Sequence, residues 1–98
     1  MAAYIILDIK VFNKDLYAQY ISKAPAIIKK HGGRYLVRGG TIITASGNWN
    51  PERIVVIEFV SMEHLKNCFD SPEYREIAPL REQSTISKAI MVEGYSLA

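Results

Sequence analysis

Four stretches of the chain are rich in branched and aromatic apolar residues, which fit a pleated strand better than a helix. A glycine pair, Gly39 and Gly40, interrupts the second stretch, and we expect a bulge or bend there. The pattern therefore predicts four strands, over residues 3–12, 34–38 with a continuation over 41–45, 53–60 and 86–95.

The segment between the first two strands has the three- and four-residue spacing of an amphipathic helix. Asn13 is a capping residue, and the apolar positions that recur after it are Tyr17, Tyr20, Ile21, Ala24, Ile27 and Ile28. Pro25 removes a backbone donor, so we expect the helix to kink or restart near Ala24. Gly32 and Gly33 then supply a left-handed stop.

The segment after the third strand contains two helix-start signals. Ser61 precedes a short helix expected over residues 62–69, and Ser71-Pro72-Glu73 combines a cap, a proline in the first turn and an acid. We expect Pro79 to divide this second segment. The order of elements is thus βαββαβ, which predicts one α+β domain over residues 1–98, a ferredoxin-like four-stranded antiparallel sheet with two helical segments on one face.

Two of the strands are apolar on both faces, which predicts a partner for the sheet. In the third strand Val55 and Ile57 point to one side while Ile54 and Val56 point to the other. Antiparallel sheets with one wet face normally alternate apolar and polar residues. Helices cover only one side, so we expect a second copy of the chain to cover the other and form a homodimer.

Composition is that of an ordinary globular domain and excludes several classes. The chain is 49% hydrophobic and 22% charged with a net charge of +2, and no basic stripe indicates nucleic-acid binding. RNA-recognition domains of this topology need stacking aromatics on the third strand, where only Phe59 stands. No stretch approaches the ~18 apolar residues of a membrane span. We therefore expect no membrane association. Cys68 is the single cysteine, which suits a reducing compartment, so we expect a cytoplasmic location.

Metal and nucleophile motifs are also missing. Two isolated histidines, His31 and His64, and one cysteine lack the converging spacing that zinc needs. There is no Gly-x-Ser-x-Gly pattern for a hydrolytic serine. We therefore predict no metal and no cofactor.

The most unusual segment brackets the second strand with two glycine pairs and carries Arg34 and Arg38 at positions of equal parity. One interpretation is a pocket wall that presents guanidinium groups to an anionic ligand; the other is a helix stop, a strand and a bulge. Glu58 stands among apolar neighbours on the third strand. It is either paired with an arginine or a functional acid or base with a shifted pKa.

At these residues the chain resembles domain-of-unknown-function family 1330. The likeness extends over nearly the whole chain, in the runs His31–Gly40, Gly47–Arg53, Ile54–Phe59, Asp70–Tyr74, Pro79–Arg81 and Val92–Gly94. It implies the dimeric α+β barrel superfamily, in which two ferredoxin-like subunits pack sheet against sheet and ligand cavities lie between helices and sheet. It brings no established activity. Cys68 and Phe69 depart from the pattern, where two larger aromatics are expected.

On this basis we predict a small-molecule pocket. Glu58 is the candidate acid or base, and the candidate substrate-binding residues are Tyr20, Arg34, Arg38, Trp49, Arg53 and Tyr74. An arginine would hold the anionic end of a ligand, since its planar fork matches a carboxylate. The aromatic residues would wall the apolar part.

Two functions from different classes remain open. One is a metal-free enzyme of oxygenase or isomerase type that acts on a small hydrophobic, partly anionic metabolite, by analogy with superfamily relatives. The other is a non-catalytic dimer that binds a small molecule or mediates an interaction. A catalytic site should contain a residue with a perturbed pKa in a closed cleft, whereas a binding site needs only apolar walls and arginines.

Overall fold

The structure, a computed structural model, describes residues 1–96. These residues form four strands and three helices in the order β1 (Ala3–Val11), α1 (Lys14–Lys30), β2 (Arg34–Arg38), β3 (Arg53–Phe59), α2 (Met62–Asp70), α3 (Pro72–Glu82) and β4 (Thr85–Glu93).

The strands form one antiparallel sheet in the order β2-β3-β1-β4, the arrangement expected of a ferredoxin-like βαββαβ chain. Ile5 in the central strand β1 lies opposite Ile57 of β3 on one side and Met91 of β4 on the other. The predicted fold class is confirmed, with the second helical segment made of two helices.

The face of the sheet that contacts the helices, here called the inner face, carries the core. Its buried strand residues alternate with half-buried ones, and helix residues of the same core pack against them. The core comprises Ala3, Ile5, Leu7, Ile9, Val55, Ile57 and Phe59 from the sheet and Tyr17, Tyr20, Ala24, Ile28, Leu65, Cys68, Tyr74 and Ile77 from the helices.

The opposite, outer face of the sheet is also apolar, as the strand pattern predicts. Ile6 and Val56 are half-buried there. On β4, which pairs with β1, Ile86 and Ile90 are 66% and 62% exposed. None of the three helices formed by residues 1–96 covers this face.

The second strand differs from its prediction. It ends at Arg38, and residues 41–45 do not continue it. Gly39 adopts a left-handed φ of 73° that turns the chain while its N–H still bonds Ile54 O at 3.0 Å. The register shift lies between Tyr35 and Val37 and not at the glycine pair. Residues 39–52 form a long connection without strand or helix.

Neither internal proline ends a helix. Helix α1 continues past Pro25 and α3 past Pro79, so the expected restart and division are both wrong. A proline leaves one carbonyl four residues earlier without its helical donor. Helix α3 begins after Ser71, whose side chain accepts from the Tyr74 N–H as predicted. Within the described residues, no helix is both long and apolar enough to span a membrane.

Candidate functional site

A cavity lies between α1, α3 and the inner face of the sheet. It holds ≈ 20 Å³, enough for about one water molecule. Apolar sheet residues form its floor, and tyrosine and arginine supply its polar groups. The lining residues are Leu7, Ile9, Tyr17, Tyr20, Ile21, Tyr35, Arg38, Arg53, Val55, Ile57, Phe69 and Arg81.

Three arginines from three different elements converge on this cavity. Arg53 of β3 donates from Nε to the Tyr17 hydroxyl at 3.2 Å, with its guanidinium 5.6 Å from the ring centre. Arg81 of α3 donates to the Tyr74 hydroxyl at 3.2 Å and to Ser87 Oγ at 2.7 Å. The guanidinium of Arg38 lies 4.9 Å from the centre of the Tyr35 ring. The cavity is therefore strongly cationic.

None of these arginines forms an ion pair among residues 1–96, although the charge of the neighbouring Glu82 helps to raise the pKa of Arg81. The ion pairs of the described chain join Lys30 and His31 to Glu73, and Arg34 to Glu58. The lining of the cavity contains no aspartate, glutamate or histidine. Because positive charges close together disfavour one another without a counter-ion, the site favours an anionic ligand.

Two buried tyrosines stand behind this cluster. The hydroxyls of Tyr20 on α1 and Tyr74 on α3 lie 2.8 Å apart, and their rings meet edge to face at 6.2 Å. Burial, with the neighbouring phenol of Tyr74, raises the pKa of Tyr20 far above its ordinary value. The Tyr20 hydroxyl therefore remains protonated and neutral at physiological pH.

Pro25 explains how Arg38 reaches across the mouth of the cavity. In an α-helix the N–H of residue 25 would bond the carbonyl of residue 21, and proline has no N–H to give. The Ile21 carbonyl instead accepts from Arg38 Nη2 at 3.4 Å. This contact from β2 to α1 is long, and the Arg38 side chain is exposed, so it is the weakest part of the cavity wall.

Arg34 and Glu58 lie on the outer face, away from the cavity. Arg34 Nε donates to Glu58 Oε1 at 2.7 Å, and Tyr4, opposite Glu58 in the sheet, also bonds this carboxylate. The hydrogen bond from Arg34 holds the pKa of Glu58 below its usual value. The register shift in β2 reverses the alternation of side chains, so the expected equal orientation of Arg34 and Arg38 is wrong.

Trp49 also lies against the outer face. Its indole Nε1 donates to Asp8 Oδ2 at 2.8 Å, and the side chain is 59% exposed. Two larger hollows of ≈ 220 and ≈ 370 Å³ flank it, between the 39–52 connection and the sheet. Both hollows are part of the uncovered apolar face. The three arginines converge on the inner cavity, and the inner cavity is therefore the candidate site.

The structure thus separates the predicted residues into two groups. Tyr20, Arg38 and Arg53 line the cavity and Tyr74 supports it, whereas Arg34, Trp49 and Glu58 share the outer face. The seven predicted residues therefore do not form a single pocket. The role of each residue stays a prediction.

Arg81 is the main site residue that the sequence reasoning missed. It lies seven residues after Tyr74 on α3, which places both on one face of the helix. That spacing, next to a tyrosine already singled out, was the signal that could have found it. Among the described residues, no group of three histidine, cysteine or acidic side chains is placed to hold a metal ion.

The order of the strands and the position of the helices define a ferredoxin-like α+β protein. The sequence model "Domain of unknown function (DUF1330)" matches residues 2–95, and the chain belongs to this family. No curated protein matches it.

Solved structures share the fold at low identity. A protein of unknown function from Rhodopseudomonas palustris superposes with a TM-score of 0.79 at 16% identity, over 97% of this chain and 83% of that one. SnoaB of Streptomyces nogalater, a cofactor-independent oxygenase, gives 0.70 at 7% identity, over 97% and 94%. A dimeric ferredoxin-like protein of unknown function from Jannaschia sp. gives 0.67 at 10%, over 96% and 100%. These likenesses establish the fold alone.

Proposed function

We propose that this chain is a metal-free enzyme, of oxygenase or isomerase type, that acts on a small hydrophobic, partly anionic metabolite bound in the inner cavity. The observation that carries the proposal is the convergence of Arg38, Arg53 and Arg81 on aromatic walls without a carboxylate among the cavity's lining residues. A guanidinium binds carboxylates and similar planar anions through paired hydrogen bonds. The fold shared with SnoaB, a cofactor-independent oxygenase, is consistent with this reaction class.

Entry of the ligand requires the wall to open, because ≈ 20 Å³ is far below the volume of a metabolite. Arg38 is the side chain best placed to move, since its bond to the Ile21 carbonyl is 3.4 Å long. A ligand carboxylate offers it a stronger, charge-assisted partner. Arg53 and Tyr20 then contact the ligand from deeper in the cavity.

A non-catalytic binding protein is the second candidate, and one observation favours it. Because the lining contains no acidic residue and no histidine, a general base must come from the ligand or the solvent. The acid or base role of Glu58 is retained as a proposal. From its place on the outer face, Glu58 acts only on a ligand that reaches that side of the sheet.

We further propose that two copies of the chain form a homodimer through their outer sheet faces. The support is the row of exposed apolar side chains on β4 beside half-buried Ile6 and Val56. An uncovered apolar face of this kind typically marks a protein interface. The dimeric ferredoxin-like neighbour has the same fold. We place the protein in the cytoplasm, where the free thiol of Cys68 stays reduced.

Thermal-shift measurements with matched ligands test the binding site. We expect benzoate and phenylacetate to raise the melting temperature and benzamide to leave it unchanged, because ligand that binds only the folded state stabilises it. Arg53→Gln should abolish the carboxylate effect. Arg34→Gln removes an arginine from the outer face and is the matched control. An equal response in both variants would contradict the cavity as the site.

Turnover assays on the ligands that bind distinguish the two candidates. Oxygen uptake and product mass are measured in the presence of a chelator, with nuclear magnetic resonance to detect isomers. Product formed without metal supports the enzyme. Tight binding with no product across the bound ligands favours the binding protein.

A further inference from the structure

The hydroxyls that face the cavity have hydrogens left to donate. The Tyr17 oxygen accepts from Arg53 at 3.2 Å. Arginine has donors only, so the direction of this bond is fixed. No other hydrogen bond involves the Tyr17 hydroxyl among residues 1–96, and Tyr17 lines the cavity. Its own hydrogen is therefore available to a ligand.

The same count applies to the chain of groups that ends at Tyr20. Arg81 donates to the Tyr74 oxygen, which fixes that oxygen as an acceptor. If Tyr74 then donates its hydrogen to Tyr20, 2.8 Å away, the Tyr20 hydrogen is free. The reverse direction would leave the Tyr74 hydrogen without an acceptor, although Tyr74 is 4% exposed and does not line the cavity. Donation from Tyr74 to Tyr20 therefore costs less, because the free hydrogen then belongs to Tyr20, which lines the cavity.

The polar lining side chains are all tyrosines and arginines. Arginine has no acceptor, and the oxygens of Tyr17 and Tyr20 each already accept one hydrogen bond. The hydroxyl of Tyr35, the third tyrosine of the lining, can donate or accept. A ligand that brings its own O–H or N–H to Tyr17 and Tyr20 meets donors and must compete for oxygens that already accept, so it gains little against its desolvation cost. A ligand that brings an ionised oxygen meets hydrogens and positive charge together.

We propose that the ligand of this cavity presents an ionised oxygen, that of a phenolate, enolate or carboxylate, to the hydroxyls of Tyr17 and Tyr20. The inference rests on the proposed function, because it assumes that the cavity is the ligand site. It adds that an acidic phenol binds as its anion and releases its proton to the solvent. Donors held in place beforehand stabilise such an oxygen without further rearrangement.

The test uses 4-nitrophenol, whose phenol and phenolate differ in colour, and its methyl ether 4-nitroanisole, which cannot ionise. The absorbance of 4-nitrophenol is titrated against pH with and without excess protein. We expect its apparent pKa to fall by about one unit on binding, which corresponds to a roughly tenfold preference for the anion. The methyl ether should bind at least about tenfold more weakly than the phenolate.

Three variants locate the effect. Tyr20→Phe and Tyr17→Phe keep the ring and remove the hydroxyl, and each should reduce the shift in the pKa of 4-nitrophenol. Tyr4→Phe removes a hydroxyl from the outer face and should leave the shift unchanged. Circular dichroism verifies folding, and if one cavity variant does not fold, the other decides.

The possible results separate this inference from the proposed function. If both probes bind equally and the pKa of 4-nitrophenol does not change, the ionised-oxygen inference is wrong and the cavity can still be the ligand site. If neither probe binds, the cavity is not the ligand site and both proposals fail. A shift that survives in Tyr17→Phe and Tyr20→Phe assigns the anion to other residues and also overturns the inference.

Discussion

At the residue scale, Gly39 shows how backbone conformation positions a charged group. Its backbone φ of 73° is one that residues with a side chain rarely adopt. A Cβ atom at this position would overlap Nη1 of Arg53 and lie 2.9 Å from its Cζ. Gly39 therefore allows the backbone to pass closely behind the guanidinium that bonds Tyr17.

We predict that Gly39→Ala destabilises the protein and weakens carboxylate binding. The left-handed conformation alone costs a residue with a side chain roughly 1–2 kcal/mol, and Arg53 must move as well. Urea unfolding and benzoate titration measure the two effects. Gly40→Ala is the control, because no atom lies within 4 Å of its Cβ position and its φ is not positive. Equal stability of the two variants would argue against this account.

The ion pair of Glu58 and Arg34 predicts a dependence on pH. The pKa of Glu58 is lowered from 4.5 by the hydrogen bond from Arg34. Its contribution to stability is therefore present above pH 4.5 and lost as the pH falls through the lower folded value. We expect Glu58→Gln to be less stable than the wild type at pH 7 by urea unfolding, and the difference should shrink as the pH falls below 4.5. Glu52→Gln, which removes an exposed carboxylate from the 39–52 connection, is the control and should be as stable as the wild type at pH 7.

The size of that effect should be modest. Removing a carboxylate that neutralises a buried arginine costs several kcal/mol, because the arginine is left as an unpaired buried charge. The Arg34 side chain is instead 73% exposed, and pairs in contact with water contribute little. A large loss of stability would indicate that the partner of the proposed homodimer covers the pair.

At the element scale, the junction between α2 and α3 holds one end of the tyrosine chain. Ser71 is buried, donates from Oγ to the Cys68 carbonyl at 2.6 Å and accepts from the Tyr74 N–H at 3.2 Å. One side chain thus provides a hydrogen-bond partner for a carbonyl at the end of α2 and for an N–H at the start of α3. Tyr74, in the first turn of α3, is oriented by this cap toward Tyr20.

We predict that Ser71→Ala lowers the free energy of unfolding by about 1 kcal/mol, the typical value for a lost helix cap. It should also weaken ligand binding, because Tyr74 is less well held. Ser22→Ala removes an exposed hydroxyl within α1 whose one hydrogen bond among residues 1–96 goes to the Gln19 carbonyl, and we expect a change of less than about 0.5 kcal/mol. Similar losses in both variants would contradict the special role of the junction.

At the scale of the whole molecule, a predicted dimer accounts for the uncovered outer face. Wild-type protein should have twice the mass of the chain by light scattering at micromolar concentration, with an interface above roughly 1,000 Å². Ile90→Glu places a charge on the 62% exposed position of β4 and should give the monomer mass. Asn67→Glu adds the same charge on α2, on the other side of the sheet, and should remain dimeric. A monomeric wild type would refute the interface.

Local pattern was sufficient to predict most elements. The caps at Asn13, Ser61 and Ser71 all begin helices as expected. The restart expected at Pro25 and the division expected at Pro79 do not occur, because a carbonyl freed by a proline can find a partner elsewhere in the fold. For Ile21 that partner is Arg38, seventeen residues away along the chain and invisible to local pattern.

Sequence alone therefore determined the element order and the two apolar sheet faces, since these follow from short-range spacing, and it singled out three residues that line the cavity, Tyr20, Arg38 and Arg53. Tertiary structure decided which residues meet. A register shift within β2 sends Arg38 to the cavity and leaves Arg34 with Glu58 on the outer face, and an i, i+7 spacing on α3 brings Arg81 to Tyr74. A shift of one position in pairing reverses the face of every later side chain in a strand, and nothing in the spacing of residues 34–38 indicates where it occurs.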